Sequence, residues 1–181
     1  AKQKYAVFVR SPHAHAAIKS VDTAAASAMP GVVRVFTGKD VEGKMGGLPC
    51  GWLITSTNGE PIKEPPHPIL AQGKVRYVGD HVAMVVADTL AQAKDAAEAV
   101  VVDYEELAAV IDMRTASKGP ALHDEAPDNH CYKWTLGDKA AVEAALANGA
   151  HVTKPDITNN RLLPHATEPR AATASYNRAT D

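Results

Sequence analysis

The chain has 181 residues and a formal net charge of −2, and 22% of its residues are charged. This charge balance gives no reason to expect nucleic acid or an anionic membrane as a partner. No apolar run approaches the roughly 20 residues of a membrane-spanning helix, and two cysteines are too few for a disulfide framework or an iron–sulfur cluster held by this chain alone. A cytoplasmic, reducing setting is therefore expected.

The first forty residues predict strands that alternate with a short helix. Asp22 is a suitable cap for that helix, and Pro30-Gly31 stops it. The predicted elements are a strand Lys4–Arg10, a break at Ser11-Pro12, a strand Ala17–Val21, a helix Thr23–Met29 and a strand Val32–Phe36 that ends at Thr37–Asp40.

Glycine and proline dominate the next stretch. Between Gly43 and Pro68 the chain carries five glycines and five prolines, so regular structure is not expected there. A loop of this length in a compact domain is usually functional or is ordered by a neighbour. We therefore expect this loop to take part in an interaction.

The stretch from Lys74 to Asp112 predicts strand, turn, strand, helix and strand. Gly79-Asp80 favours a hairpin turn, and the following strand, His81–Ala87, is apolar on both faces and is therefore expected to be central. Thr89 opens a helix with Gln92 as its capping partner. The predicted apolar stripe of this helix is Leu90, Ala93 and Ala97, and Val100–Val102 returns as a strand.

The remainder predicts a linker, one more helix and several extended segments. Asp138 begins an alanine-rich helix that Asn148-Gly149 terminates. The other predictions are a short helix at Met113–Ser117, a strand Cys131–Leu136, extended chain at His151–Ile157, a loop Thr158–Arg170 and a last strand Ala171–Tyr176. Strand, helix and strand thus recur three times, at Asp22-Thr23, Asp88-Thr89 and Gly137-Asp138.

His13 and His15 are the first candidates for chemistry. Two imidazoles on one side of an extended segment are an arrangement that some zinc or copper sites use. No carboxylate or cysteine is close in sequence to complete such a site. The alternative is a pair of turn histidines held by hydrogen bonds.

The glycine-rich stretch and the cysteines are weaker candidates. Gly43–Gly51 lacks the Gly-Lys-Ser/Thr ending of a phosphate loop, and no helix follows it, so a surface loop is favoured. Cys50 and Cys131 are read as structural thiols, because adjacent residues on a strand point to opposite faces and His130 is then not a base for Cys131. Glu168-Pro169-Arg170 fits either a contact with a neighbouring domain or a cap of the last strand.

Five motifs resemble one family, and together they cover essentially the whole chain. They are Arg10–Ala16 (RSPHAHA), Pro30–Val33 (PGVV), Val78–Asp80 (VGD), Val102–Glu105 (VDYE) and Glu168–Arg170 (EPR). The chain resembles the N-terminal part of the large, molybdenum-carrying subunit of the xanthine dehydrogenase, aldehyde oxidase and aerobic carbon monoxide dehydrogenase family. Through Asn129–Asp138 (NHCYKWTLGD) it is most similar to carbon monoxide dehydrogenase-like large chains.

The resemblance implies an α+β fold, an α/β-hammerhead with a mixed sheet and alanine-rich helices packed on it. Residues 1–118 would form this hammerhead domain, and residues 119–181 a linker and the truncated start of the molybdopterin-binding region. His81 stands where such proteins commonly have proline, and Thr167 where they have methionine. An exposed sheet edge is expected near Lys4–Arg10.

The resemblance also implies a function for the whole subunit and not for this part of it. The complete enzyme would oxidise carbon monoxide, an aldehyde or an N-heterocycle at a molybdopterin centre, with iron–sulfur clusters and FAD on partner subunits or domains. The family's cofactor loops and catalytic glutamate would lie beyond this chain, so no catalytic, cofactor-binding or metal-binding residue is expected here. Its partners would be the iron–sulfur and FAD subunits and its own molybdopterin-binding domain. The alternative is a stand-alone hammerhead-fold binding or scaffold module.

Overall fold

A computed structural model describes residues 3–160, 162, 164 and 166–180 of the protein. By its internal contacts the chain divides into two compact units, of which the first ends at Leu136 and the second begins at Gly137. The first unit contains six strands, β1 (Tyr5–Arg10), β2 (Ala16–Asp22), β3 (Val32–Thr37), β4 (Lys74–Val75), β5 (His81–Ala87) and β6 (Val101–Glu106). Its helices are α1 (Ala24–Ser27), α2 (Gly38–Val41) and α3 (Leu90–Glu98), with a 3-10 turn at Ala116–Lys118, and the second unit contains α4 (Lys139–Ala147).

The six strands form two sheets of three, in the orders β1-β5-β3 and β4-β2-β6. All their pairings are antiparallel. Odd-numbered strands therefore build the first sheet and even-numbered strands the second. The α+β class is confirmed, and β1 lies at a sheet edge as expected.

Strand β5 occupies the centre of the first sheet, which confirms the prediction from its apolar sequence. Ala83, Val85 and Ala87 on one of its faces are completely buried. Ala26 of α1 and Ala96 of α3 belong to the same core cluster as Ala83 and Val85. Because alanine has a short side chain, helices rich in it approach a sheet closely. The two helices therefore shield this face of the sheet from solvent.

A second core lies on the other sheet. It contains Ala16, Ala71, Val75 and Val82, and three of these four side chains have no exposed surface. Val82 comes from β5, beside a register shift in the pairing of β1 with β5. A bulge lets one residue of a strand turn away from its sheet. One residue of the first sheet thus contributes to the core of the second.

The predicted hairpin at Gly79-Asp80 is wrong. Strand β4 pairs with β2, through Ala16 with Val75, and not with β5. Gly79 has a φ of +93° and does reverse the chain, but the reversal carries it from the second sheet to the first. The burial of Val75 in the second core explains the choice, because pairing with β5 would take that side chain out of it.

The two strand–helix–strand units of the first unit connect the sheets. Helix α1 leads from β2 to β3 and α3 leads from β5 to β6, and each pair of strands lies in different sheets. The third predicted unit, around Asp138, has a helix but no strands on either side among the described residues.

Helix α3 begins as predicted, but its packed face differs. The Thr89 hydroxyl accepts a hydrogen bond from the backbone N–H of Gln92 at 3.2 Å. The buried residues are Ala93 and Ala96, whereas Leu90 is 45% exposed. Leu90 is therefore not part of the apolar stripe predicted for α3. The helix packs on the sheet through its alanines, because their small side chains allow the closest approach.

Helix α2 was predicted as the end of a strand. Thr37 and Asp40 form a capping box, in which an Asp40 carboxylate oxygen accepts from the Thr37 backbone N–H at 2.8 Å and from its hydroxyl at 2.9 Å. These hydrogen bonds lower the pKa of Asp40. Gly38 lies so close to the carbonyl oxygen of Ala71 that a Cβ atom would be 2.2 Å from it. The segment after the long loop is thus held tightly against α2.

The loop from Gly43 to Pro68 contains one isolated bridge, between Thr55 and Pro61, and is otherwise irregular, as predicted. The predicted strand Cys131–Leu136 is wrong. Backbone N–H groups of this loop bond to it instead, Lys63 to the Cys131 carbonyl at 2.9 Å and Thr57 to the Lys133 carbonyl at 2.8 Å. Two scattered hydrogen bonds do not make a sheet ladder.

The second unit contains α4 and, among the described residues, otherwise irregular chain. The Asp138 carboxylate accepts from the Ala141 N–H at 3.0 Å, and the helix ends at Asn148, as predicted. Ala171–Tyr176, the predicted last strand, joins no sheet among the described residues, and its side chains are exposed. Of the predicted loop Thr158–Arg170, Arg161, Leu163 and His165 lie outside the described residues. No helix in the described part of the chain is long and apolar enough to span a membrane.

Candidate functional site

Three buried polar residues mark the place where the chain passes between the two sheets. Ser11 is 2% exposed, His15 6% and Asp80 9%, and these are the buried polar side chains of the part that the structure describes. Ser11 and His15 belong to the link from β1 to β2, and Asp80 belongs to the turn from β4 to β5. Buried polar groups are stable only when they are hydrogen-bonded, so their partners define the site.

Backbone hydrogen bonds join two sequence motifs at this site. The N–H of Ser11 donates to the carbonyl of Asp80, and the N–H of Gly79 donates to the carbonyl of Ser11, both at 2.8 Å. The Arg10 guanidinium donates to the Gly79 carbonyl at 3.1 Å, and an Asp80 carboxylate oxygen accepts from the Arg76 N–H at 3.1 Å. The motifs Arg10–Ala16 and Val78–Asp80 are therefore one structural element.

The two candidate histidines bind the end of β6 to this element. His15 Nδ1 lies 2.8 Å from the carbonyl oxygen of Ala108, and the Leu107 N–H donates to the His15 carbonyl at 3.0 Å. His13 Nδ1 lies 3.4 Å from a carboxylate oxygen of Glu106, and its ring packs on Tyr104 with centroids 4.8 Å apart. The motif Val102–Glu105 thus meets the other two. Each imidazole has a protein partner at Nδ1, and the buried Nε2 of His15 has none among the described residues.

The electrostatics of this junction follow from burial. Burial raises the pKa of Tyr104, which Asp80 also raises and a hydrogen bond with Ser11 opposes. Burial, with Asp80 as a second cause, raises the pKa of Tyr77. Both phenols therefore stay protonated at neutral pH and act as hydrogen-bonding groups. No cluster of three metal-ligating side chains occurs in the described part of the chain.

The cysteines lie apart from this junction. Cys50 is exposed, and its thiol contacts the Trp52 carbonyl at 3.2 Å, while Cys131 is half-buried. Both line a cavity of about 890 Å³ beside the Gly43–Pro68 loop. Over the residues described, neither thiol hydrogen-bonds to a histidine, and His130 lies 3.5 Å from Asp128 instead. The structure thus brings both thiols to one cavity, which His67 also lines.

An apolar groove lies on the other face of the first sheet. Phe8 and Phe36 both pair with Met84 across the sheet and share its face, and His81 stacks on Phe8 with ring centroids 4.5 Å apart. Val41 and Leu70 close the sides of a cavity of about 740 Å³, and exposed Met45 and Leu48 lie along it. Burial, followed by the nearby Arg10 guanidinium, lowers the pKa of His81.

Sequence reasoning missed this groove. The alternation of Tyr5, Val7 and Val9 indicated one face of β1 but gave no reason to single out Phe8 on the other. The available signal was the capping pair Thr37 and Asp40, which predicts the helix whose Val41 forms one side. Glu168–Arg170 lies in the second unit and is exposed.

Comparison of the sequence with known proteins identifies the same family as these motifs. The sequence model described as "Aldehyde oxidase and xanthine dehydrogenase, a/b hammerhead domain" matches residues 1–108. The large subunit of nicotine 6-hydroxylase from Paenarthrobacter nicotinovorans is 37% identical over 96% of this chain and 21% of its own length. The carbon monoxide dehydrogenase large chain of Afipia carboxidovorans is 34% identical over 94% of this chain and 22% of its own length.

The fold is also similar to that of a solved enzyme. The crystal structure of the Cu,Mo-CO dehydrogenase in its carbon monoxide reduced state matches with a TM-score of 0.66 and 32% identity, over 82% of this chain and 19% of that one. The chain thus spans about a fifth of the length of the relatives it matches. It belongs to the aldehyde oxidase and xanthine dehydrogenase family, whose a/b hammerhead domain it contains.

Proposed function

We propose that the chain is a structural, non-catalytic domain of the large subunit of a molybdenum-dependent hydroxylase or dehydrogenase. The apolar groove on the open face of the first sheet carries this proposal. Phe8 is 40% exposed at the groove, and Met45 and Leu48 are 59% and 64% exposed. Exposed apolar side chains that cluster in a groove often mark an interaction site. The partners proposed are the rest of the large subunit and the subunits that would carry iron–sulfur clusters and FAD.

The residues present do not fit the cofactors of such an enzyme. An iron–sulfur cluster takes four cysteine thiolates, and this chain has two cysteines. A metal ion held directly by protein side chains needs a convergent donor set, and no such set occurs among the described side chains. We therefore assign the molybdopterin, iron–sulfur and flavin chemistry to other parts of the enzyme, and none of it to this chain.

We also propose domain limits, a cellular location and a substrate class. Residues 1–118 would be the hammerhead domain and residues 119–181 a linker with the start of the molybdopterin-binding region. We also propose a cytoplasmic location, because both cysteines are free thiols and thiols stay reduced there. The substrate of the whole enzyme would be carbon monoxide, an aldehyde or an N-heterocycle.

Metal analysis tests the non-catalytic role. This chain, expressed in cells that make the molybdenum cofactor, should purify without molybdenum. Molybdenum that co-purifies stoichiometrically would overturn the proposal. A pull-down with the companion iron–sulfur and FAD subunits separates a subunit domain, which requires them, from a stand-alone scaffold module, which does not.

The groove itself is tested in the complete large subunit. Met45→Glu with Leu48→Glu puts two charges in the groove at exposed positions, so the fold should tolerate them. We expect at least a tenfold lower yield of assembled enzyme, measured by size-exclusion chromatography. Val101→Glu is the matched control, because Val101 is 64% exposed on the second sheet and does not line the groove. Equal yields for both variants would rule out the groove as the interaction surface.

A further inference from the structure

A smaller cavity of about 360 Å³ lies between the prolines at the end of the long loop and the chain from Lys74 to Asp80. Pro65, Pro66 and Pro68 form an apolar wall on one side. Lys74, Arg76 and His123 line the other. Small-molecule sites have this make-up, with an apolar lining and a few convergent polar groups.

Two cationic side chains, Lys74 and Arg76, line the cavity. Lys74 and Arg76 flank the buried Val75, and alternation along an extended chain sends their side chains to the same side. Arg76 Nε donates to the Leu122 carbonyl at 2.8 Å, which fixes the guanidinium. Within the described ranges, neither Lys74 nor Arg76 makes an ion pair, and the terminal nitrogens of Arg76 have no acceptor.

The one carboxylate in the lining belongs to Asp80, and it already accepts a hydrogen bond from the protein backbone. Asp80 is buried, and its oxygen accepts from the backbone N–H of Arg76 at 3.1 Å. Burial and then the nearby Asp80 carboxylate raise the pKa of Tyr77, whose hydroxyl lies 3.4 Å from His67 Nε2. Asp80 therefore does not neutralise both Lys74 and Arg76, and the cavity keeps a net positive charge.

His123 adds a third donor that faces the cavity. Its Nδ1 is buried and has no hydrogen-bond partner among the residues described. Burial, then the Arg76 guanidinium, lowers the pKa of His123; His15 lowers it further, and Asp124 and Glu125 act in the opposite direction. An anion beside Arg76 and His123 would supply the missing acceptor and favour the protonated imidazole.

The segment that carries His123 is held in place. Asn129 accepts from the Leu122 N–H and donates to the carbonyls of Ala116 and Pro120, each at 2.9 Å. Asn129 has a φ of +55°, a conformation that asparagine tolerates better than most residues. The position of His123 in the cavity is thus set by the fold, and binding would need little rearrangement.

We propose that this cavity binds a phosphorylated small molecule, with the phosphoryl oxygens between Lys74, Arg76 and His123 and the carbon part against the proline wall. Arginine and lysine are the residues that bind phosphate most effectively, arginine through parallel N–H groups and lysine as a point charge. The cavity exceeds the size of a bare phosphate, which leaves space for the organic part.

Calorimetric titration of the assembled enzyme tests the proposal, with phenyl phosphate and inorganic phosphate as probes. Phenyl phosphate should bind more tightly, because only it contacts the prolines. Lys74→Gln should weaken phenyl phosphate binding roughly tenfold, which is the effect of one charge-assisted hydrogen bond. Lys94→Gln is the matched control, because Lys94 is an exposed lysine on α3 outside the cavity. Absent binding, or equal losses in both variants, would overturn the proposal.

The role of His123 has its own signature. Sulfate keeps its charge over the pH range of interest, so the pH dependence of its binding reports on the protein. Sulfate affinity should rise as pH falls below 6.5 toward the lowered pKa of His123, with uptake of a proton. The variant His123→Gln should stay folded but should lose this proton uptake. Unchanged proton uptake in that variant would exclude His123 from the site.

Discussion

The two faces of the first sheet are made from the same three strands but have different surroundings. On one face, Val85 is fully buried beneath the alanines of α1 and α3. On the other, Met84 and Phe36 line an open groove. Strand β5 is equally apolar on both faces, so composition alone does not distinguish them. The chain thus covers one face itself and leaves the other open, and it is on this open face that we propose contact with further polypeptide.

Truncation on the two faces should have unequal costs. Val85→Ala removes buried methyl groups and leaves a closed cavity, so we expect the free energy of unfolding to fall by about 2–3 kcal/mol. Met84→Ala empties a site that is already open to water and should cost less than about 1 kcal/mol. Urea unfolding of both variants measures the difference. Equal losses would mean that the groove is as enclosed as the core.

The same contrast applies to the two histidines at the junction of the sheets. His15→Ala removes a buried imidazole and its hydrogen bond to the Ala108 carbonyl, and should cost about 2 kcal/mol. His13 is partly exposed, and its 3.4 Å contact with Glu106 is a surface ion pair at best, so His13→Ala should cost about 0.5 kcal/mol. Thermal unfolding of the pair measures both losses. A larger loss at His13 would contradict the buried role of His15.

The helix that covers the closed face depends on its cap. Thr89→Ala removes the hydrogen bond to the Gln92 N–H and should lower stability by about 1 kcal/mol. Thr23 occupies the corresponding position in α1 but makes no side-chain cap hydrogen bond, so Thr23→Ala should be close to neutral. Denaturant midpoints of the two variants measure this difference. A neutral Thr89→Ala would show that packing alone fixes α3.

The smallest expected effect is a pH dependence at the groove. The pKa of His81 lies below its ordinary value of 6.5 in the folded chain, because of burial and then Arg10. The stability that neutral His81 contributes is therefore fully present above pH 6.5 and is lost as pH falls toward the lowered pKa. His81→Phe keeps the stack on Phe8 and should lose less stability than the wild type between pH 7.5 and 5.5.

His123 has the same pKa direction, so His123→Gln added to His81→Phe should flatten the pH dependence further. Melting temperatures at the two pH values measure each step. An unchanged dependence in His81→Phe would mean that the imidazole remains solvated in the groove.

The sequence predicted elements better than it predicted their partners. The apolar pattern of His81–Ala87 correctly predicts a central strand, because burial on both faces requires it. The turn at Gly79-Asp80 was recognised, yet its strands lie in different sheets. A positive φ at glycine is a local property, whereas the pairing of β4 with β2 depends on residues far apart in sequence.

The candidate site shows the same limit. The motifs Arg10–Ala16 and Val78–Asp80 are visible in the sequence, but their mutual hydrogen bonds exist only once both sheets have formed. The strand predicted at Cys131–Leu136 has the composition of a strand, but its hydrogen bonds go to the long loop. Loop contacts of this kind have no periodic pattern, so they cannot be predicted from one.

The alternation of strands between the sheets has a consequence for folding. In the first sheet β5 lies between β1 and β3. Tyr5 of β1 pairs with Ala87 of β5, and most of the domain's sequence separates these two residues. Neither edge strand has a partner until β5 has left the ribosome, so sheet formation waits for the synthesis of that strand. Contacts so distant in sequence slow folding and leave strand edges exposed in the nascent chain. The hammerhead should therefore fold late, in a single cooperative step after β5 has been synthesised. The time for which its strand edges are accessible to chaperones then depends on how far along the chain β5 lies.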